Sequence, residues 1–157
     1  MKIATSYFYQ IRNFKPNMIP VSTAMSDPAW YRPPANKEYY IDKRGIVCGL
    51  RYEPLIVQGM GKHICPCENK EILKGNCPCA KEYLQLLETI DFNKMIKGFK
   101  FCANKFRPYP FDDGINDPII VLMVYETPTN PCSERWGLQE YFTKHGYECK
   151  ELEYPIK

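Results

Sequence analysis

Ile119-Ile120-Val121-Leu122-Met123-Val124-Tyr125, with Pro118 before it and Glu126-Thr127 after it, decides the fold. An unbroken apolar run of strand length has no polar face to turn to water. It therefore reads as a strand buried on both sides, as in a parallel sheet covered by helices. A short loop follows, and then a segment punctuated like a helix. Asn130 stands at a capping position, Pro131 fits the first helical residue, and Gly146 fits the exit after Lys144-His145. Tyr147 to Tyr154 returns as an edge strand. Strand, helix and strand make a βαβ unit, whose crossover is expected to be right-handed in a mostly parallel sheet.

Upstream, Lys2 to Tyr9 and Met18 to Met25 read as two further strands, and Gly45 to Val57 as another extended candidate. The prolines of Asp27-Pro28-Ala29-Trp30-Tyr31-Arg32-Pro33-Pro34 exclude both ladder and helix, so that stretch is a loop. Tyr83, Leu84 and Leu87 recur at helical spacing. Phe92, Met95, Ile96 and Phe99 repeat the pattern, with Asp91 placed to cap the second helix. The expected architecture is one α/β domain over residues 1–157, an open and mostly parallel sheet flanked by helices, with an irregular cysteine-rich insertion at about 59–79.

Composition agrees with that reading. The chain has 157 residues, 45% hydrophobic and 25% charged, enough to build a core without disulfide staples. The 14% aromatic share predicts a ring-rich core or ligand pocket. A net charge of +3 permits an anionic ligand without demanding nucleic acid. Met1-Lys2-Ile3-Ala4 runs at once into Thr5-Ser6, too short an apolar stretch for a signal peptide, and no run reaches membrane-helix length. The eight cysteines are accordingly expected in a reducing compartment, the cytoplasm, as thiols or metal ligands.

Ligands in open parallel sheets sit outside the carboxyl ends of the strands. Three such ends turn polar abruptly here: Thr5-Ser6, Ser22-Thr23 and Glu126-Thr127. The third leads through Thr129-Asn130-Pro131-Cys132-Ser133-Glu134-Arg135 into a helix N-terminus, which offers unpaired N–H groups and a partial positive charge to an anion. Cys132 and Arg135 are spaced to share the sheet-facing side with Leu138. Arg135 could then grip an anion in two-pronged fashion, and the Cys132 thiolate would be favoured. The plainer alternative is Arg135 in a structural bridge to Glu126 or Asp27, and Cys132 as a small buried residue. The Cys-x2-Arg spacing does not match the Cys-x5-Arg loop of cysteine phosphatases.

Two other constellations stand out. His63, Cys65, Cys67, Cys77 and Cys79 gather four thiols and an imidazole within seventeen positions, a donor set suited to structural zinc. Cys-Pro-Cys is tighter than the usual Cys-x2-Cys knuckle, so free thiols and disulfides stay open beside the metal. From Phe99 to Tyr109 aromatic and basic residues alternate, as on single-strand nucleic-acid platforms or on a helix with buried rings and solvated lysines.

Thr5-Ser6-Tyr7-Phe8-Tyr9-Gln10, Lys43-Arg44-Gly45, Leu50-Arg51-Tyr52-Glu53-Pro54, and Val124-Tyr125-Glu126 followed by Asn130-Pro131-Cys132-Ser133-Glu134-Arg135 carry a resemblance. Together they resemble the YeaO-like family of bacterial and phage domains of unknown function. The resemblance implies an α/β domain, with Glu126, Cys132 and Arg135 at the family's Glu and Cys-His-Arg-like positions. Ser133-Glu134 stands where a single His is commoner, so a His-dependent role is not implied.

The expected function is that of an enzyme, or degenerate enzyme, binding a small anionic ligand such as a nucleotide or nucleoside derivative at the Glu126–Arg135 turn. Glu126 would be the acid/base or ribose partner, and Arg135 with the backbone at Cys132 would hold the anion. Thr5, Ser6, Ser22, Asp27, Asn130 and Ser133 would orient the ligand, and Tyr7 or Trp30 would stack on a base. The competing expectation is a zinc-stabilised, non-catalytic module binding nucleic acid or a protein partner.

Overall fold

The computed structural model describes residues 1–56, 78–106, 117–129 and 133–156. Four strands form one sheet: β1 (Lys2–Tyr7), β2 (Met18–Ser22), β5 (Ile119–Val124) and β6 (Cys149–Glu151), in the order β2-β5-β1-β6. All three pairings are parallel, so the α/β class and the parallel sheet expected from the sequence are what the chain adopts. A hairpin of β3 (Tyr40–Ile41) and β4 (Val47–Cys48) makes a small second sheet. Among the described residues three α-helices complete the frame: α1 (Pro78–Leu87), α2 (Phe92–Phe106) and α3 (Arg135–Lys144).

The apolar run explains the order. β5 pairs with β1 on one side and β2 on the other, and its residues alternate between two cores. Ile120, Leu122 and Val124 pack with Met95, Phe99, Leu138 and Phe142 under the helices. Val121 and Met123 pack with Phe8, Phe14, Tyr31 and Ile46 on the opposite face. Among the described residues that second face is covered by 3-10 turns at Phe8–Asn13 and Ala29–Tyr31 and by the hairpin. Pro20 is tolerated because β2 is an edge strand of this sheet, where a missing N–H is least costly. The other edge, β6, is short and exposes Lys150, which blunts it against further pairing.

Element limits depart from the sequence reading in instructive places. β1 stops at Tyr7 because its partner β5 ends opposite it, at Val124, and the chain then turns into the 3-10 segment at Phe8. β2 stops at Ser22. The Gly45–Val57 stretch contributes only Val47–Cys48, a single bridge from Arg51 to Ser22 and a 3-10 turn at Glu53–Leu55. The Tyr147–Tyr154 strand contracts to Cys149–Glu151, where β1 offers it partners. Asp91 caps α2 as expected, its Oδ1 accepting from the Lys94 N–H at 3.1 Å. α3 begins at Arg135, later than the Asn130-Pro131 signal suggested, and residues 130–132 lie outside the described residues. Its exit is as read: Gly146 takes φ +91°, a conformation that favours glycine.

Candidate functional site

The carboxyl ends of the strands carry two separate arrangements, one on each face of the sheet. On the helix face Arg135 is 0% exposed. Its Nε lies 3.0 Å from Glu151 Oε1, and its Nη2 donates to the Glu126 backbone carbonyl at 2.6 Å. Thr5 Oγ1 donates to the same Glu151 oxygen and accepts from Gln139 Nε2, both at 2.8 Å. Ser133 Oγ donates to Glu126 Oε2 and accepts from the Arg135 N–H, both at 3.3 Å. The Arg135 guanidinium also lies 5.7 Å from the Tyr7 ring centre and 5.8 Å from that of Trp136. Thr5, Tyr7, Glu126, Ser133 and Arg135 are thus brought together, but around a cation that is already engaged.

Charge at this turn runs against a second anion. Glu126, Glu134 and Glu151 all act on the one guanidinium of Arg135, whose own pKa is lowered by burial and held up by those carboxylates. Burial, reinforced by the Glu126 charge, pushes the Glu134 carboxyl up to about 8. The turn therefore suits a proton on Glu134 better than an added phosphate. The structural bridge weighed for Arg135 exists, with Glu151 as its carboxylate; Asp27 is 2.6 Å from Arg51 instead.

On the other face the remaining residues divide. Ser6 Oγ shares a 2.6 Å hydrogen bond with the Tyr154 hydroxyl. Ser22 Oγ donates to Asp27 Oδ1 inside the protein, and Arg51 closes that group by donating to the Ala24 carbonyl at 3.0 Å. These are satisfied internal contacts. Among the described candidates Trp30 opens onto a cavity, which has a volume of about 620 Å³.

Loops after three parallel strands build that cavity. β1 runs on into Phe8, Tyr9, Ile11 and Arg12; the segment after β2 supplies Pro28 and Trp30; Tyr125 follows β5; and Tyr40, Asp42, Arg44 and Cys48 come from the hairpin. Trp30, Tyr125 and Tyr9 are 52%, 57% and 59% exposed, so their ring surfaces are accessible to a ligand. Their placement is fixed from behind. Tyr125 meets Phe8 edge-on at 5.6 Å, Trp30 meets Tyr31 edge-on at 6.3 Å, and the Tyr40 hydroxyl donates to the Trp30 carbonyl. Burial and the neighbouring Cys48 push the Tyr40 phenol up to about 12, which keeps it a donor at neutral pH.

Phe8, Tyr9, Arg12, Tyr40, Arg44 and Tyr125 were not among the residues singled out as a site from the sequence. One signal was present: Tyr9 and Arg12 stand three apart directly after the polar end of β1, the spacing that lays the Arg12 guanidinium 3.9 Å from the Tyr9 ring centre. Asn130 and Cys132 lie outside the described residues, as do His63, Cys65, Cys67 and Cys77. Cys79 falls in the first turn of α1. Among the described residues no group of three or more His, Cys, Asp or Glu could hold a metal ion, and Cys48, Cys102 and Cys149 are free thiols. Among them, too, no helix is long and apolar enough to cross a membrane.

Comparison of the chain with protein-family models, with curated proteins and with solved structures finds no match. The resemblance to YeaO-like domains accordingly stands on the quoted residues alone.

Proposed function

We propose that the protein binds a small anionic ligand with a flat ring, of the nucleotide or nucleoside class, at the carboxyl end of its parallel sheet. One observation carries the reading: loops after three strands enclose a cavity of about 620 Å³ that combines half-exposed rings of Tyr9, Trp30 and Tyr125 with arginine. That volume lies within the ~300–1,000 Å³ of small-molecule sites. Rings supply stacking surface, and arginine is the side chain best shaped for phosphate or carboxylate. The anion is placed in this cavity, away from the carboxylates that surround Arg135. The free thiols of Cys48, Cys102 and Cys149, among the described residues, fit a reducing compartment, the cytoplasm.

Thermal shift with a panel of nucleoside 5′-monophosphates tests this. Stabilisation by at least one of them, lost in Trp30→Ala and kept in Lys150→Ala, is the expected result. Equal stabilisation of the Trp30→Ala variant would remove the cavity from the reading.

A second reading, the zinc-stabilised module for nucleic acid, draws on α2. Its buried ridge is Met95, Ile96, Phe99 and Ala103, while Lys94, Lys97 and Lys100 project at intervals of three beside Phe101, which is 68% exposed. A single-stranded oligonucleotide that binds in a salt-dependent way, weakened in a Lys94→Gln, Lys97→Gln, Lys100→Gln variant, would favour it. No binding at low salt would leave these lysines as the solvated face of a helix.

A further inference from the structure

The cavity has one guanidinium to spare, and this limits the charge of what it can hold. Two of the residues lining it are basic and one is acidic. Arg44 is committed. Its Nη2 lies 3.0 Å from Asp42 Oδ2 and donates at 3.0 Å to the Ile11 carbonyl, while its Nη1 donates to the Arg12 carbonyl. It holds the 3-10 turn after β1 against the hairpin, and its charge is answered by Asp42. Arg12 differs. Among the described residues no carboxylate lies within ion-pair distance of it, its side chain is exposed, and its guanidinium rests 3.9 Å from the Tyr9 ring centre. A guanidinium stacked on a ring keeps the N–H groups at its edge available, and those groups match the two oxygens of a phosphate or carboxylate.

Resting on the nucleotide-type reading of this cavity, we propose that Arg12 is the anion contact and that the site recognises one anionic group, so that a nucleoside monophosphate gains over the nucleoside and a triphosphate gains nothing over the monophosphate. With Arg44 answered by Asp42, Arg12 leaves the lining with one uncompensated positive charge. One guanidinium engages two oxygens of one phosphoryl group. The further phosphates of a triphosphate would have to be placed with no second free cation among the described lining residues. Tyr9 acts as the mount for Arg12, so the two residues form one contact.

Isothermal titration of the whole protein with adenosine, adenosine monophosphate and adenosine triphosphate tests this, using wild type and Arg12→Gln. Arg12 is exposed, and an unchanged circular dichroism spectrum and melting midpoint are expected to show that the variant folds. Charge-assisted hydrogen bonds predict that the monophosphate binds about ten-fold or more tightly than adenosine. The triphosphate is expected to gain nothing further, and in Arg12→Gln the advantage of the monophosphate should vanish while adenosine binding persists. Adenosine binding with no gain for the monophosphate, a gain that survives Arg12→Gln, or a triphosphate ten-fold tighter than the monophosphate would each overturn the selectivity while leaving ring binding in place. Binding of none of the three would overturn the cavity reading and the selectivity together.

Discussion

Arg135 is the largest side chain wholly removed from solvent in the described structure, and it holds three elements at one point. Its ion pair reaches β6 at Glu151, its hydrogen bond reaches the carbonyl after β5 at Glu126, and Thr5 of β1 completes the group through Glu151. Removing one partner of a buried ion pair leaves the other charged and unanswered. Arg135→Met is therefore expected to cost about 3 kcal/mol in a denaturant titration, and adding Glu151→Gln should restore part of that loss. No restoration would mean that Arg135 acts mainly through the Glu126 carbonyl. Next to it, Glu134 sets a pH dependence with a definite sign. Its folded pKa, pushed up to about 8, lies above the ordinary glutamate value of ~4.3. The unfolded chain thus releases this proton first, so the contribution is fully present below the unfolded value and lost as pH rises towards 8. Glu134→Gln should have a melting midpoint that gains on wild type between pH 5 and pH 9. A constant difference across that range would contradict the assignment. The pairing of Arg135 with Glu151 was not legible in the sequence, because nothing local says that β6 lies beside β1.

At the scale of elements, legibility followed the length of the periodic signal. β5 could be read from its apolar run and α2 from its apolar ridge and Asp91 cap, since each repeats one pattern long enough to exclude the other period. The Phe8–Asn13 turn was hidden, because Tyr7-Phe8-Tyr9 continues the strand-like chemistry of β1 after its pairing partner has run out. The hairpin was hidden too, as two-residue strands carry no period. Its position depends on Gly49, whose φ is +105°. A Cβ there would sit 3.0 Å from Pro33 Cδ and 3.2 Å from the Glu38 carbonyl oxygen. Gly49→Ala is expected to destabilise the protein by more than ~1 kcal/mol and to lower nucleotide binding, since the hairpin lines the cavity. Asp91→Ala, a cap far from the cavity, should cost about 1 kcal/mol and leave binding unchanged. If both variants altered binding alike, the loss would be one of general stability, with no special part for the hairpin.

For the whole molecule, the parallel sheet and its helices followed from the sequence, but which face opens at the carboxyl end of that sheet did not. The residues chosen there separate across the sheet. Those near Arg135 join in a network of hydrogen bonds and one ion pair under the helices, whereas Trp30 joins rings and arginines of the 3-10 turns and the hairpin around a cavity. That division depends on the strand order β2-β5-β1-β6, which brings the loops after β1, β2 and β5 together and which no local pattern encodes. In the proposed reading the ring and anion contacts lie in irregular segments, while stability lies in the sheet and helices. The most direct test is a 1H–15N correlation spectrum recorded during titration with adenosine monophosphate. The predicted result is saturable shifts at Tyr9, Arg12, Trp30, Arg44 and Tyr125, with Ser133 to Arg135 nearly unmoved. Shifts confined to Glu126 and Ser133–Arg135, or none at millimolar ligand, would contradict it.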